Sequence, residues 1–339
     1  MSEAEVLLVT TILIAVAFDF TNGFHDTANA IATSVSTRAL SPRTAVALAA
    51  IFNLLGAVIT VGFFQAKVAN TIASTLAIHP GLVVIIAALL GAIAWNLITW
   101  YLGLPSSSTH ALIGGLCGAG IAAAGGFQGV KWEALLKQVT SLVVSPPIGF
   151  LAAALFMVAL FYIVHRLSIR PGPLNRTFRW AQVGTAAFVS YSHGANDAQK
   201  TMAVMTLALV ASGNLHTFQV PLWVVVLSAG TIAFGTYAGG WRIIRTLGWR
   251  IFKLEPATGM AAQLTGATVI QVATLVGLPV STTHVITGSV MGAGASRQLS
   301  AVRWGVGANI AAAWVVTIPA TATIAWVTFA ILHTAGLRG

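Results

Sequence analysis

The chain has 339 residues, of which 57% are hydrophobic and only 7% charged, against about a quarter charged in soluble domains. With a mean hydropathy of +0.88, this excludes an ordinary soluble domain and predicts an integral membrane protein. The net charge of +10 does not indicate a nucleic-acid surface, because Arg and Lys sit in short gaps between apolar runs, the positive-inside pattern.

In chain order, Met1-Ser2-Glu3-Ala4-Glu5 is acidic and lacks a basic leader, so the first apolar run is expected to stay as a membrane helix. Residues 6–37 exceed the roughly 20 residues of one crossing and hold Asp19, Asn22, Gly23, His25 and Asp26 in mid-run, so a helix broken near Gly23 is expected. A turn with Arg38 and Arg43 leads to a second span at 44–64. Residues 81–124 form two apolar arms around Gly103-Leu104-Pro105-Ser106-Ser107-Ser108-Thr109-His110. The second arm is short for a crossing, so a re-entrant helical hairpin is expected, tolerated at membrane depth only where protein or water surrounds it. A span at 139–164 closes this half. Segment 165–180, with four Arg, is the one long polar stretch and is expected in the cytoplasm. Then the order recurs: 181–211 broken near Gly194, a span at 221–240, a basic connector at 241–256, hairpin arms at 257–296, and a span at 304–331.

Two motifs make the repetition specific. The hydroxyl-rich turn returns 174 residues later as Gly277-Leu278-Pro279-Val280-Ser281-Thr282-Thr283-His284, identical at six of eight positions. Gly23-Phe24-His25-Asp26 returns 171 residues later as Gly194-Ala195-Asn196-Asp197. Basic loops swap sides between the halves: connector 241–256 holds four Lys or Arg where 65–80 holds only Lys67, and the turn with Arg38 and Arg43 corresponds to 212–220, which has none. The expected fold is therefore an all-α polytopic membrane protein of two inverted-topology repeats, 1–164 and 181–339, joined by a cytoplasmic linker, 165–180, with both termini outside.

Asp26 and Asp197 are two of only seven acidic residues, and each lies within an apolar run. A carboxylate at bilayer depth costs at least about 2.5 to 3.5 kcal/mol, so its duplication points to cation binding. Asn22, Asn29 and Asn196 would complete an oxygen-rich site of the kind hard cations prefer. Asp19, two helical turns before Asp26, adds a proton or second-cation candidate with no acidic counterpart, since the equivalent residue is Ser190. His25 and His193 neighbour the two carboxylates and are candidates for tuning them. Each hydroxyl turn reads as a helix start, with Pro at the first helical position and unpaired N–H groups plus hydroxyls beyond it. Two such starts converging would bind an anion. A tetrahedral oxyanion beside Asp26 and Asp197 would be repelled by several kcal/mol at ~4 Å, and Lys200 offsets one charge at most. Cation, Na⁺ or H⁺, must then enter with anion, which is symport.

Other classes are weaker. An intramembrane serine hydrolase would use Ser107 or Ser281 with His110 or His284, but one active site does not need duplication. An anion channel would need no driving cation. Neither a zinc-binding Cys or His spacing nor a nucleotide-binding fingerprint is present, so no cofactor is expected.

Gly23-Phe24-His25-Asp26-Thr27-Ala28-Asn29-Ala30, Ser192-His193-Gly194-Ala195-Asn196-Asp197-Ala198-Gln199-Lys200 and the two Gly-Leu-Pro-x-Ser-x-Thr-His turns together resemble the inorganic phosphate transporter (PiT) family, in its bacterial low-affinity branch. The resemblance spans essentially the whole chain. It implies inverted repeats with re-entrant hairpins and secondary transport of phosphate with a cation. Residue by residue it points to Asp26, Asn29, Asn196 and Asp197 for the cation, with Na⁺ at Asp26 and Asp197, and to Ser107, Ser108, Thr109, Ser281, Thr282 and Thr283 for phosphate. Gln199 and Lys200 are further candidate phosphate contacts. His25 stands where many relatives have Asn, so either Na⁺ or H⁺ coupling fits. The family also includes sulfate carriers; phosphate can donate hydrogen bonds and sulfate cannot, so an acceptor such as Gln199 would favour phosphate. The expected partners are the anion, the coupling cation, the lipid bilayer of the plasma membrane and a second copy of the chain.

Overall fold

The structure, a computed structural model, describes residues 2–167 and 171–337, without the side chains of 171–173. Twelve α-helices are present among them: α1 Glu3–Ser36, α2 Pro42–Phe64, α3 Lys67–Ala73, α4 Leu82–Leu102, α5 Ser108–Ala124, α6 Trp132–Leu167, α7 Pro171–Ala211, α8 Leu222–Ala238, α9 Trp241–Arg245, α10 Pro256–Leu275, α11 Thr282–Ala295 and α12 Trp304–Thr334. Five of them, α1, α2, α4, α6 and α12, are long and apolar enough to cross a bilayer; α8 with the bent segment after it, kinked by 60°, makes a sixth. The chain is thus a multi-pass, all-helical membrane protein. Large apolar side chains such as Phe63, Leu155, Phe234 and Val315 face outward, as a lipid-facing surface requires.

Both helices expected to break are continuous. α1 passes through Gly23 and α7 through Gly194. The glycines serve packing instead: a β-carbon at Gly23 would overlap the carbonyl oxygen of Ile232 in α8, and one at Gly194 that of Asn53 in α2. No unwound carbonyls arise there; of the polar residues in mid-run, His25 and Asp26 are met by side chains of other elements, while Asp19 and Asn22 are not. The stretch 165–180 is also largely helical, with α6 reaching Leu167 and α7 starting at Pro171; Arg170 lies outside the described residues.

The two hydroxyl turns do form helical hairpins, α4 with α5 and α10 with α11. Gly103 and Gly277 sit at φ 67° and 77°, the left-handed conformation that only glycine adopts without strain, and each ends the first arm. Ser107 and Ser281, not proline, set the second helix: each hydroxyl accepts the N–H three residues on, from His110 and His284, both at 3.2 Å. Pro105 and Pro279 stay in the loops. With 17 and 14 residues, α5 and α11 span about 26 and 21 Å, less than the ~30 Å of a hydrocarbon core.

Packing between the halves is reciprocal. α5 lies along α12, and α11 along α6; Gly118 meets the Ala322 backbone, and its equivalent, Gly292, meets that of Phe150. Likewise α2 packs on α7 and α8 on α1. The start of α1 and the end of α7 share a cavity through Leu7, Thr10 and Ala211, whereas Asp26 meets His193 and Asp197 further along. The equivalent helices α1 and α7 therefore run antiparallel. Apolar residues form two large clusters, one around Phe18, Leu89, Leu112 and Met202, the other around Ile31, Val189, Ile270 and Val285.

Candidate functional site

Between these clusters the middle turns of α1 and α7 meet the first turns of α5 and α11, and the four sequence motifs come together. Asp26, Asn29, Asp197, Lys200, Ser108, Thr282 and Thr283 are each at most 1% exposed. Asp26 accepts from Ser108 Oγ at 2.9 Å through Oδ2 and from Thr283 Oγ1 at 3.3 Å through Oδ1, so one carboxylate joins both hairpins. Its Oδ1 also lies 2.7 Å from His25 Nδ1, while His25 Nε2 is 3.1 Å from Thr99 Oγ1. His25 is thereby clamped between α1 and α4.

Lys200 answers from α7. Its Nζ donates to Asp197 Oδ2 at 2.6 Å and to Ser108 Oγ at 2.7 Å. A buried ammonium and carboxylate are held in such a place only as a hydrogen-bonded pair, since either alone would cost several kcal/mol. Asn29 occupies the equivalent position in α1 and donates to Thr283 Oγ1 at 2.9 Å and Thr282 Oγ1 at 3.3 Å. Asn196 Nδ2 donates to Thr274 Oγ1 at 2.9 Å, leaving its Oδ1 without a partner.

Asp26, His193 and Asp197 each present a ligand atom, all within 4.8 Å of one another. His193 Nδ1 is 3.0 Å from Asn53 Oδ1, and Asn53 is oriented by donating its amide to Thr236 Oγ1 at 2.8 Å. Facing a carbonyl, Nδ1 carries the proton, so in the neutral imidazole Nε2 is a bare acceptor. It lies 3.3 Å from Asp197 Oδ2 with no hydrogen bond, and Asp197 Oδ1 is also without a partner. Three acceptors converging in a buried spot suit a cation or a proton.

The remaining expected contacts divide. Thr109 donates to the carbonyl of Val280 at 3.1 Å, tying one hairpin loop to the other. His110 and His284 lie face to face across the same junction, centroids 4.6 Å apart, and His284 stacks on Trp314 at 3.8 Å. Gln199 does not join the cluster: its Oε1 accepts from Val68 N at 2.9 Å and Ala69 N at 3.3 Å, and its Nε2 donates to Ala195 O at 2.7 Å. Oε1 of this amide fixes the start of α3 and Nε2 bonds its own helix, so neither end is left to read a protonated oxyanion. Asp19 and Asn22 are buried with no partner on any side-chain polar atom. Thr99, Asn53 and Thr274 were not singled out from the sequence; the signal for Asn53 was a lone amide inside an apolar run.

Comparison with known proteins agrees with this geometry. The model of a phosphate transporter family matches residues 22–325. A probable low-affinity inorganic phosphate transporter of Bacillus subtilis (strain 168) is 47% identical over 97% of this chain and 99% of its own length. One of the same description from Rhizobium meliloti (strain 1021) is 49% identical over 94% of each. Among solved structures, a sodium-dependent phosphate transporter superposes with a TM-score of 0.85 at 26% identity, covering 97% of this chain and 99% of the other. These relatives are described as transporters rather than enzymes. Similarity of this length and level leaves one assignment: the chain belongs to the phosphate transporter family.

Proposed function

We propose that the protein is a secondary active transporter that carries inorganic phosphate across the plasma membrane together with a cation, Na⁺ or H⁺. The observation that carries this reading is the convergence of Asp26, Asp197, Lys200, Ser108 and Thr283 in one buried cluster. Lys200 and the hydroxyls supply donors for an oxyanion, with the first turns of α5 and α11 beside them. Two carboxylates and His193 Nε2 supply the acceptors. Lys200 balances one carboxylate, and phosphate brings further negative charge, so a cation must accompany it.

Inverted repeats, 1–164 and 181–339, account for the antiparallel course of α1 and α7 and for the reciprocal contacts of Gly118 and Gly292. In such repeats the hairpin units rock about the shared site, exposing it alternately to each side. The basic stretch 165–180 then lies in the cytoplasm and both termini outside, and a homodimer is compatible with the outward apolar faces.

The hydrolase alternative is disfavoured by the capping geometry. Ser107 and Ser281 are held by backbone N–H groups, while His110 and His284 face each other. A sulfate carrier is disfavoured because Asp197 Oδ1 is a buried acceptor without a donor, which a protonated phosphate can supply and sulfate cannot.

Uptake of labelled phosphate into proteoliposomes under an inward Na⁺ or H⁺ gradient tests the reading. Accumulation above equilibrium under one gradient, resistant to excess sulfate, is expected. Uptake that ignores both gradients would indicate a channel, and none at all would refute phosphate transport.

A further inference from the structure

Away from the buried cluster, positive charge collects in one cavity. Arg242, Arg245 and Arg250, from α9 and the bent turn after it, line a space of about 460 Å³ together with Tyr101, Leu102 and Trp241. All three arginines are exposed, and among the described residues none of them is paired with a carboxylate. Glu255, the acidic residue nearest to them in sequence, is held by Arg297. The cavity therefore carries three charges with no counter-charge from the described residues.

Its place in the fold is the edge of the bilayer. Residues 246–250 pack on the last turns of α1, where a β-carbon at Gly248 would meet the Ala32 carbonyl oxygen at 2.9 Å and Ser36 Cβ at 3.2 Å, and α4 ends beside them at Leu102. Tyr101, Trp241 and Trp249 are exposed at this level, as aromatic side chains are at a membrane interface. One arginine is already oriented. Arg242 donates to the Tyr101 carbonyl at 2.7 Å, and its guanidinium carbon lies 4.8 Å and 5.2 Å from the ring centres of Tyr101 and Trp100. These contacts hold the planar fork while occupying one of its five donors. Thr246 donates to the Gly103 carbonyl at 2.8 Å, which fixes this wall of the cavity to the first hairpin. Arginines that only mark one side of a membrane need share no cavity and no fixed fork; Arg38 and Arg43, exposed at the same end, line no part of it.

We infer that Arg242, Arg245 and Arg250 form an anion site for a phosphoryl group at the bilayer edge, separate from the buried cluster around Lys200, with which the cavity shares no residue. Guanidinium forks match phosphoryl oxygens in pairs and stay charged throughout the physiological pH range. The volume falls among small-ligand sites, about 300 to 1,000 Å³, and has room for a phosphate with the glycerol esterified to it. Two sources present this chemistry at a membrane surface: the headgroup of an anionic phospholipid, and free inorganic phosphate. Tyr101, Leu102 and Trp241, all exposed at the rim, offer apolar surface to an acyl chain leaving the cavity. Free phosphate needs no such rim, so the lipid headgroup is the favoured source.

The site does not depend on the proposed symport, and melting the whole chain in a neutral detergent tests it. Phosphatidylglycerol is expected to raise the thermal midpoint of the wild type by about 3 °C or more over the same amount of phosphatidylcholine. In the double variant Arg245→Gln/Arg250→Gln, whose native side chains are exposed, that gain should fall below about 1 °C. Arg38→Gln/Arg43→Gln, with the same loss of charge at the same end, should keep it. If inorganic phosphate is the ligand instead, the shift that phosphate causes, and not the lipid's, shrinks in Arg245→Gln/Arg250→Gln and persists in the control. Neither shift shrinking, or the control losing as much, overturns the site. Uptake decides whether the site is separate: in phosphatidylcholine vesicles the phosphate KM of Arg245→Gln/Arg250→Gln should stay within about twofold of wild type. A rise of about tenfold would make the cavity part of the transport path and overturn a separate site.

Discussion

Asn29 and Lys200 hold equivalent places in the two halves and make the same kind of contact in opposite directions. Asn29 reaches from α1 to Thr282 and Thr283 at the start of α11, and Lys200 reaches from α7 to Ser108 at the start of α5. The scaffold is duplicated while its charge is not: a neutral amide on one side faces an ammonium on the other. On the proposed reading, this asymmetry lets one site hold an anion against a carboxylate pair.

Replacing Lys200 with methionine keeps much of the volume and removes the charge. Asp197 is then left buried without its strongest partner, a loss of roughly 3 to 5 kcal/mol for broken buried pairs. Lys200→Met is expected to abolish phosphate uptake and to lower the thermal midpoint in detergent. Wild-type uptake by this variant would remove Lys200 from the anion site.

Asp26→Asn and Asp197→Asn are each expected to cut cation-driven phosphate accumulation by about a hundredfold or more. The two should differ in stability. Asp26 retains hydroxyl and imidazole neighbours that an amide can still engage, whereas Asp197→Asn strands the Lys200 ammonium. Thermal unfolding of the purified variants measures this, and equal destabilisation would contradict the assigned partners.

The hydroxyls of the hairpin turns are not equivalent. Ser108 touches Asp26 and Lys200, while Thr109 spends its hydrogen on the Val280 carbonyl. Ser108→Ala should raise the phosphate KM by about tenfold, and Thr109→Val should act mainly on stability, by about 1 kcal/mol. A reversed order in the transport assay would mean that Thr109, not Ser108, meets the substrate.

Much of this was legible in the sequence. Duplicated motifs identified Asp26, Asp197 and the two hydroxyl turns, and all of them converge. What the chain's letters did not disclose was the use of its glycines. Gly23 and Gly194, amid polar residues in apolar runs, read as helix breaks, yet a glycine that ends a helix and one that admits a neighbouring backbone look identical without the partner helix. Gln199 misled for a similar reason, because its amide is committed to α3, 130 residues away in sequence. Asn53 was overlooked since its role, orienting His193, exists only once α2 lies against α7.

The glycine reading has its own check. A β-carbon at Gly118 would overlap the Ala322 backbone, whereas Gly62 has open space around it. Gly118→Ala should destabilise the protein by about 1 to 3 kcal/mol through overpacking. Gly62→Ala should be neutral or slightly stabilising, by up to about 1 kcal/mol of helix propensity. Similar midpoints for the two variants in a thermal melt would contradict the close approach of α5 and α12.

The most direct test of the shared anion site is to see the anion. Arsenate mimics phosphate and scatters anomalously, so crystals grown with it should show an arsenic peak between the first turns of α5 and α11, in contact with Lys200, Ser108 and Thr283. An arsenic peak elsewhere in the protein, with this pocket unoccupied at saturating arsenate, would contradict the account.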